Sequence, residues 1–458
     1  MLAVAYLGLT LFIIFIEIFR TKKVLFDFWT FLNLIFCLMY TLPAFVMSAN
    51  LGVDGIEHTG GFKFSIYDAQ VLFAVFLGYF SILVGFHSVS AQNNANRIII
   101  LWRSEKTILR IAIFLLLFSC ISVQIYASQF GGVMNAISQA TLIRSSVAEG
   151  GALVFFKHFM FLSFCASYLL AALIFYQKRI KHKLFLYSAF VISAICTVVG
   201  VTITGGRAHL IIYFLTFYLV QVIINKKIPW ILTICLLLPS ILFILYGKAF
   251  FFSLSGIKNG LDTVVEMFIA GMESQSESSD GFRDLVNNFS YQIYSLKAAL
   301  SFDYPQRLFI DWYYGIITFL PERLLNIEVP ETISPLNTAY ITGTNEYTIP
   351  TGMFAFAIYS FSWPGLIFVS FVYGWIGCFI ETICYNHLLK AYWMPFIYVM
   401  LAQIWIDFFT SGDPGIFLFA DFGFLVAIFI LLVIGSKITI TKSSKKSSYT
   451  NNKSRNVF

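Results

Sequence analysis

Eleven stretches of about twenty mostly apolar residues recur along this 458-residue chain, and they constrain its fold more than any other feature. A helix of that length crosses a bilayer while satisfying its own backbone N–H and C=O groups, which lipid cannot do for it. The stretches are residues 2–19, 28–47, 69–89, 107–127, 153–176, 184–203, 208–224 and 228–247, then, after a hydrophilic gap, 364–385, 393–409 and 416–435. Charged residues make up only 12% of the chain, against about a quarter in soluble domains, too few to cover a soluble surface. With 52 phenylalanines and a mean hydropathy of +0.81, lipid must be the solvent for much of the molecule. The fold class expected is therefore all-α and polytopic, and no soluble-domain reading survives.

The basic residues test this count. Residues 20–23, 97–110, 178–183 and 226–227, Lys390 and the tail 437–455 all fall on one side of an alternating topology and carry about 20 of the 30 Lys and Arg. That side reads as the cytoplasm, with the N-terminus outside and the C-terminus inside. The first stretch is closed by Arg20, Lys22 and Lys23, whereas a cleaved signal peptide carries its positive charge first, so a retained helix is expected. The net charge of +7 is accounted for by these topology signals, and no basic face interleaved with aromatics points to nucleic acid.

Four regions follow: an N-terminal bundle of about eight helices at 1–247, a large outer loop at 248–350, a C-terminal region at 351–435, and a basic tail at 436–458. The loop holds twelve carboxylates against six basic residues, and a loop this long in a compact protein is usually functional. Within it, 273–284 reads as solvated, 285–296 as a helix docking an apolar face, and 308–320 as an interfacial segment too short to span. Residues 351–362 resemble a short re-entrant or interfacial helix before Trp363-Pro364-Gly365 opens a new span. The seven cysteines sit in or beside apolar runs, with neither disulfide nor zinc spacing in the loop.

Cations on the outer side run against the topology rule, so each needs a reason. Arg207 follows Thr204-Gly205-Gly206 in a turn between two spans, at headgroup depth. The glycines allow a tight turn whose N–H groups can face an anion, and a guanidinium grips phosphate bidentately. The plainer alternative is a hairpin turn whose Arg snorkels to lipid phosphate. Arg283-Asp284 in the large loop pairs an anion grip with a proton acceptor, or is a surface ion pair. Lys248 sits at the outer end of a span, and Arg144, Arg307 and Arg323 are further outer cations. Asp407 and Asp421 flank the outer turn at 411–415, as a water-facing acidic patch or as helix-packing contacts. The six histidines form no recognisable motif.

With these residues in hand, the chain resembles the Wzy family of bacterial O-antigen and capsule repeat-unit polymerases. The likeness lies in the overall organisation, the Thr204–Arg207 turn, the Arg283-Asp284 opening and the stretch from Pro321-Glu322-Arg323 to Pro350-Thr351-Gly352. The resemblance implies a GT-C-like fold in the bacterial inner membrane and an inverting glycosyl transfer at its periplasmic face. A glycan on undecaprenyl pyrophosphate would move onto a newly flipped lipid-linked repeat unit. Pyrophosphate leaves readily, so such a site needs cations for the departing anion and one base for the acceptor hydroxyl. Arg207 and Arg283 would form the cradle with Gly205, Gly206, Lys248, Arg144 and Arg323, and the base is open between Asp284, Glu346 and other acids. No cofactor and no metal are implied. The partners implied are the two lipid-linked oligosaccharides and membrane lipids, with a chain-length regulator and a flippase of the same pathway as further candidates. Related O-antigen ligases use a histidine in the large loop, and 248–350 contains none. The rival from another class, a flippase or transporter of lipid-linked oligosaccharide, calls for repeats, broken helices and charges near the bilayer midplane.

Overall fold

The computed structural model describes residues 1–49, 51, 69–144, 153–176, 183–278, 281–301, 304–317, 331–344 and 348–441. Among them, eleven helices are long and apolar enough to cross a membrane. They comprise α1 (Leu2–Phe19), α2 (Phe28–Ser48), α3 (Ala69–Phe86), α4 (Glu105–Ser128), α5 (Val154–Phe175), α6 (Lys183–Thr204), α7 (Arg207–Asn225) and α8 (Trp230–Ser253, prolonged by a 3-10 turn to Asn259). Four shorter or amphipathic helices follow: α9 (Leu261–Ser278), α10 (Gly281–Ser301), α11 (Ile310–Ile317) and α12 (Ile333–Thr342). The last spans are α13 (Gly352–His387), α14 (Met394–Ser411) and α15 (Pro414–Gly435). The chain is an all-α, multi-pass membrane protein, and the expected spans agree with the observed ones to within a few residues except around α8 and α13. Helix α8 continues beyond Lys248, so the hydrophilic region begins later than residue 248.

Small side chains decide which helix is central. Helix α5 carries Ser163, Cys165, Ala166, Ser167, Ala171 and Ala172, which let neighbouring backbones approach, and its apolar window is 89% buried. Hydroxyl bonds sew it to α7: Ser167 and Tyr213 share a 2.5 Å contact, and the Tyr168 hydroxyl donates to Thr216 at 3.1 Å. The Gln403 amide of α14 then donates to the same Thr216 at 3.0 Å. Helix α8, by contrast, has only 6% of its window buried and lies at the periphery.

Loops 20–27 and 97–104, Lys390 and residues 436–441 gather at one end, termed here the basic end. There Arg20 bonds both oxygens of Asp27 and reaches Glu17, which also accepts from Thr30 and Asn33. Burial works to lower the Arg20 pKa, but the bonds and charges of Asp27 and then Glu17 outweigh it and raise the pKa. The basic end also holds an element absent from the sequence expectation. Strand β1 (Ile98–Trp102) pairs antiparallel with β2 (Ser436–Ile440), Ile98 opposite Ile440 and Trp102 opposite Ser436. The outward N–H of Ile100 donates to His387 Nε2 at the end of α13, fixing the ribbon to the bundle.

At the other end, the loop end, α13 is broken as the run at 351–362 suggested. Phe361 and Ser362 leave helical geometry, with Ser362 at φ 52° and ψ −147°. The cause is Pro364, which has no N–H to offer the Ser360 carbonyl four residues before it. The freed carbonyls of Tyr359 and Ser360 accept instead from the backbone N–H groups of Arg307 (3.0 Å) and Leu308 (2.9 Å). Residues 352–360 thus form a half-helix, buried along its whole length. The span 363–387 runs parallel to α3: the Phe73 and Trp363 rings meet at 5.5 Å, tilted, and Gly85 and Gly374 sit where the two backbones touch. Phe354 of the half-helix packs on Gly78, midway along α3, and on Tyr40 at 4.9 Å. The half-helix therefore packs against the middle of α3 rather than beyond its end.

Candidate functional site

The turn carrying Arg207 is built by backbone bonds. Gly205 at φ 63° adopts the left-handed conformation that only glycine takes without cost, and α6 stops there. The amides of Gly205, Gly206 and Arg207 donate to Thr202, Val201 and Gly205 carbonyls. Those N–H groups are engaged inside the turn, so they do not form an N–H nest open to an anion. Arg207 opens α7 and reaches across to α8, where its Nη1 donates to the Ile244 carbonyl at 3.4 Å. Gly247 makes this possible, since a Cβ there would stand 2.5 Å from Arg207 Cδ. The next residue, Lys248, is exposed on the same helix. The structure thus brings Gly205, Gly206, Arg207 and Lys248 to one corner at the loop end. His209, behind the turn, stacks on Phe161 with ring centroids 4.9 Å apart.

The other expected site residues are placed only in part. Arg283 and Asp284 lie in the first turn of α10, and Arg144 ends the short helix Ala140–Arg144. The side chains of these three, and Arg323 and Glu346 altogether, lie outside the described residues. Helix α10 touches α8, so its chain passes beside the helix that holds Lys248.

A second polar cluster, beside the half-helix, contains Arg307, which the sequence offered only as a further outer cation, and Asp311 and Asp413, which it did not single out. Arg307 grips Asp311 with three hydrogen bonds of 2.7 to 3.1 Å and donates to the Glu331 carbonyl at 3.0 Å. The side chains are 8% and 0% exposed. Burial raises the Asp311 pKa against the opposing pull of Arg307. Burial also works to lower the Arg307 pKa, but Asp311 outweighs it and raises the pKa. The bidentate geometry is that of a charged pair. Asp413, also buried, accepts from the N–H groups of Ser334 (2.9 Å) and Gly415 (2.8 Å), capping α15 and tying α12 to it. Between α12 and the half-helix lies a cavity of about 230 Å³ lined by Tyr304, Ile333, Leu336, Asn337, Ala339, Tyr340 and Tyr359. Sequence signals existed for two of these features: the Arg307–Asp311 spacing of four residues, and an Asp before Pro-Gly at a helix start.

Two carboxylates lie within the spans near this end. Asp421 is buried, close enough to Asp407 on the neighbouring helix for their charges to interact, and its Oδ2 has no hydrogen-bond partner among the described residues. Asp421 is thus interior and Asp407 half-buried, where the sequence left a water-facing patch or helix-packing contacts open. A further apolar groove of about 670 Å³ runs between α6, α7 and α8, with Phe190, Phe214, Phe217 and Leu236 among its walls. Among the described residues, no three His, Cys, Asp or Glu side chains are grouped to hold a metal ion. Compared with known proteins, the chain matches no family model, no curated protein and no solved structure.

Proposed function

We propose that the protein is an inverting glycosyltransferase that polymerises undecaprenyl-pyrophosphate-linked oligosaccharide repeat units into O-antigen or capsular polysaccharide. It works at the periplasmic face of the bacterial inner membrane, the loop end being periplasmic and the basic end cytoplasmic. One observation supports the reading: the Gly205 turn and the close approach at Gly247 hold Arg207 at the loop end of the bundle, with Lys248 exposed next to Gly247 on the facing helix. Two cations at headgroup depth suit a diphosphate that must be gripped and then released. The apolar groove between α6, α7 and α8 suits an isoprenoid tail, because it is walled by hydrocarbon and lies among spans. The base that takes the acceptor proton is sought among Asp284, Glu346 and the other loop acids. Arginine and lysine neutralise the leaving diphosphate in place of a metal.

The test is the banding of surface polysaccharide. Arg207→Ala is expected to leave single-repeat caps at normal protein abundance, and Arg207→Lys to restore little, since bidentate geometry is lost. Full-length polymer from Arg207→Ala removes the proposal.

A second reading, a carrier of lipid-linked oligosaccharide, draws on the broken α13 and on the buried, half-unpartnered Asp421. It predicts complete loss of surface glycan, not single-repeat caps, when the gene is deleted.

A further inference from the structure

We propose that the groove between α6, α7 and α8 holds one acyl chain of an anionic phospholipid from the leaflet at the basic end, with the lipid's phosphate on Lys226 and Lys227. The inference goes beyond the glycosyltransferase reading and does not depend on it. An isoprenoid tail that enters the same groove from the Arg207 corner does so in place of this chain.

Position fixes the leaflet. Helix α7 runs 19 residues from the Arg207 corner, about 28 Å at 1.5 Å per residue, so its last residue, Asn225, lies at the basic end. The groove is walled between the levels of Tyr213 and Gln221 on that helix, and by Leu232 and Leu236 in the first two turns of α8. Gln221 is about 6 Å of helix from Asn225, whereas Tyr213 stops about 9 Å short of Arg207. The groove therefore reaches down to the turn 226–229. Along α7 it is about 12 Å tall, close to the ~15 Å that one leaflet contributes to a hydrocarbon core of about 30 Å.

Charge fixes the headgroup. Residues 150–261 contain no Asp or Glu, so the helices that wall the groove and the turns that join them bring no counter-charge to Lys226 and Lys227. Both lysines are exposed, have no ion-pair partner among the described residues, and occupy the turn that joins two of those helices. Trp230, 69% exposed at the start of α8, is of the amphipathic type that sits at headgroup level. A basic pocket between spans suits an anionic headgroup. The walls fix the rest of the ligand. The Tyr218 hydroxyl donates to Thr233 at 2.7 Å, and Thr233 donates to the Pro229 carbonyl, so these groups pin α7 to α8 and are spent. Gln221, exposed at the lower margin, makes no hydrogen bond among the described residues, and its amide lies at the depth of a lipid's ester carbonyls. A free phosphate would leave the hydrocarbon wall uncovered, and a neutral lipid would leave both lysines without a counter-charge.

The experiment is native mass spectrometry of the full chain released from nanodiscs of equal parts phosphatidylglycerol and phosphatidylcholine with matched acyl chains. One phosphatidylglycerol is expected to stay bound, at about tenfold over phosphatidylcholine, the scale set by two lysines at a headgroup. The preference is expected to vanish when Lys226→Gln is combined with Lys227→Gln, and to persist when Lys226→Arg is combined with Lys227→Arg. Ala194→Trp, which fills the groove and leaves the lysines in place, is expected to lose the bound lipid. Val198→Trp, at a more exposed position of the same wall, repeats that comparison should Ala194→Trp unfold, with a thermal melt as the control. Equal retention of the two lipids by the wild type, or an unchanged preference in the double glutamine variant, overturns the proposal. So does a phosphatidylglycerol adduct undiminished by filling the groove.

Discussion

Arg307 and Asp311 show what a buried charge demands. At 8% and 0% exposure both are largely shut off from water, so each relies on the other for its counter-charge. Asp311→Asn leaves a cation without its counter-charge and is expected to destabilise the protein by about 3–5 kcal/mol, read as a lowered melting temperature in detergent. The double replacement Arg307→Met with Asp311→Leu is expected to recover most of that loss; equal loss in the single and double variants argues that the pair is not the source. Arg207 is a different case. It lies at the mouth of the bundle, and its sequence signal was its position on the wrong side of the topology rule. Arg307 gave the same weak signal, yet the structure uses it internally, because Asp311 one helical turn away folds onto it. Outer-side cations therefore look alike in sequence and separate only when their partners are seen.

Elements follow from local rules until two backbones meet. The break in α13 was legible because Pro364 removes a donor at a fixed offset. The latch was not legible: the Arg307 and Leu308 N–H groups that replace the missing donors come from about fifty residues earlier. Nor was the contact of α3 with α13. A Cβ on Gly85 would strike the Phe371 carbonyl, whereas one on Gly8 of α1 would meet nothing within 4 Å. Gly85→Ala is thus expected to cost about 1–3 kcal/mol by overpacking, and Gly8→Ala to be neutral or to stabilise by up to about 1 kcal/mol through helix propensity. Thermal melts of the two variants check this, and equal shifts would contradict the close crossing.

For the molecule as a whole, two ends of opposite character are set by the alternation of spans and basic loops, and orientation is a property of the entire set. In a background with all seven cysteines replaced, Leu261→Cys, 77% exposed at the start of α9, is expected to react with an impermeant maleimide on intact cells. Lys390→Cys at the basic end is expected to react only after permeabilisation. The reverse pattern inverts the molecule and overturns the proposed periplasmic placement of the Arg207 corner. The β1–β2 ribbon closes the basic end by joining residues more than three hundred positions apart. Its strands are short and isolated, and neither has the length or alternation that would distinguish it from a loop.

The sequence by itself determined the solvent, the spans, their alternation and the break before Pro364. Each of these depends on side-chain hydropathy or on one residue's covalent chemistry, summed over windows shorter than a helix. Only the tertiary structure decided that Gly247 makes room for Arg207 beside Lys248, that Arg307 is taken up by Asp311, and that three tyrosines and an asparagine surround a cavity. These depend on which surfaces meet across the bundle, and in lipid those meetings are chosen by shape and by a few hydrogen bonds between distant segments, for which a linear pattern carries no sign.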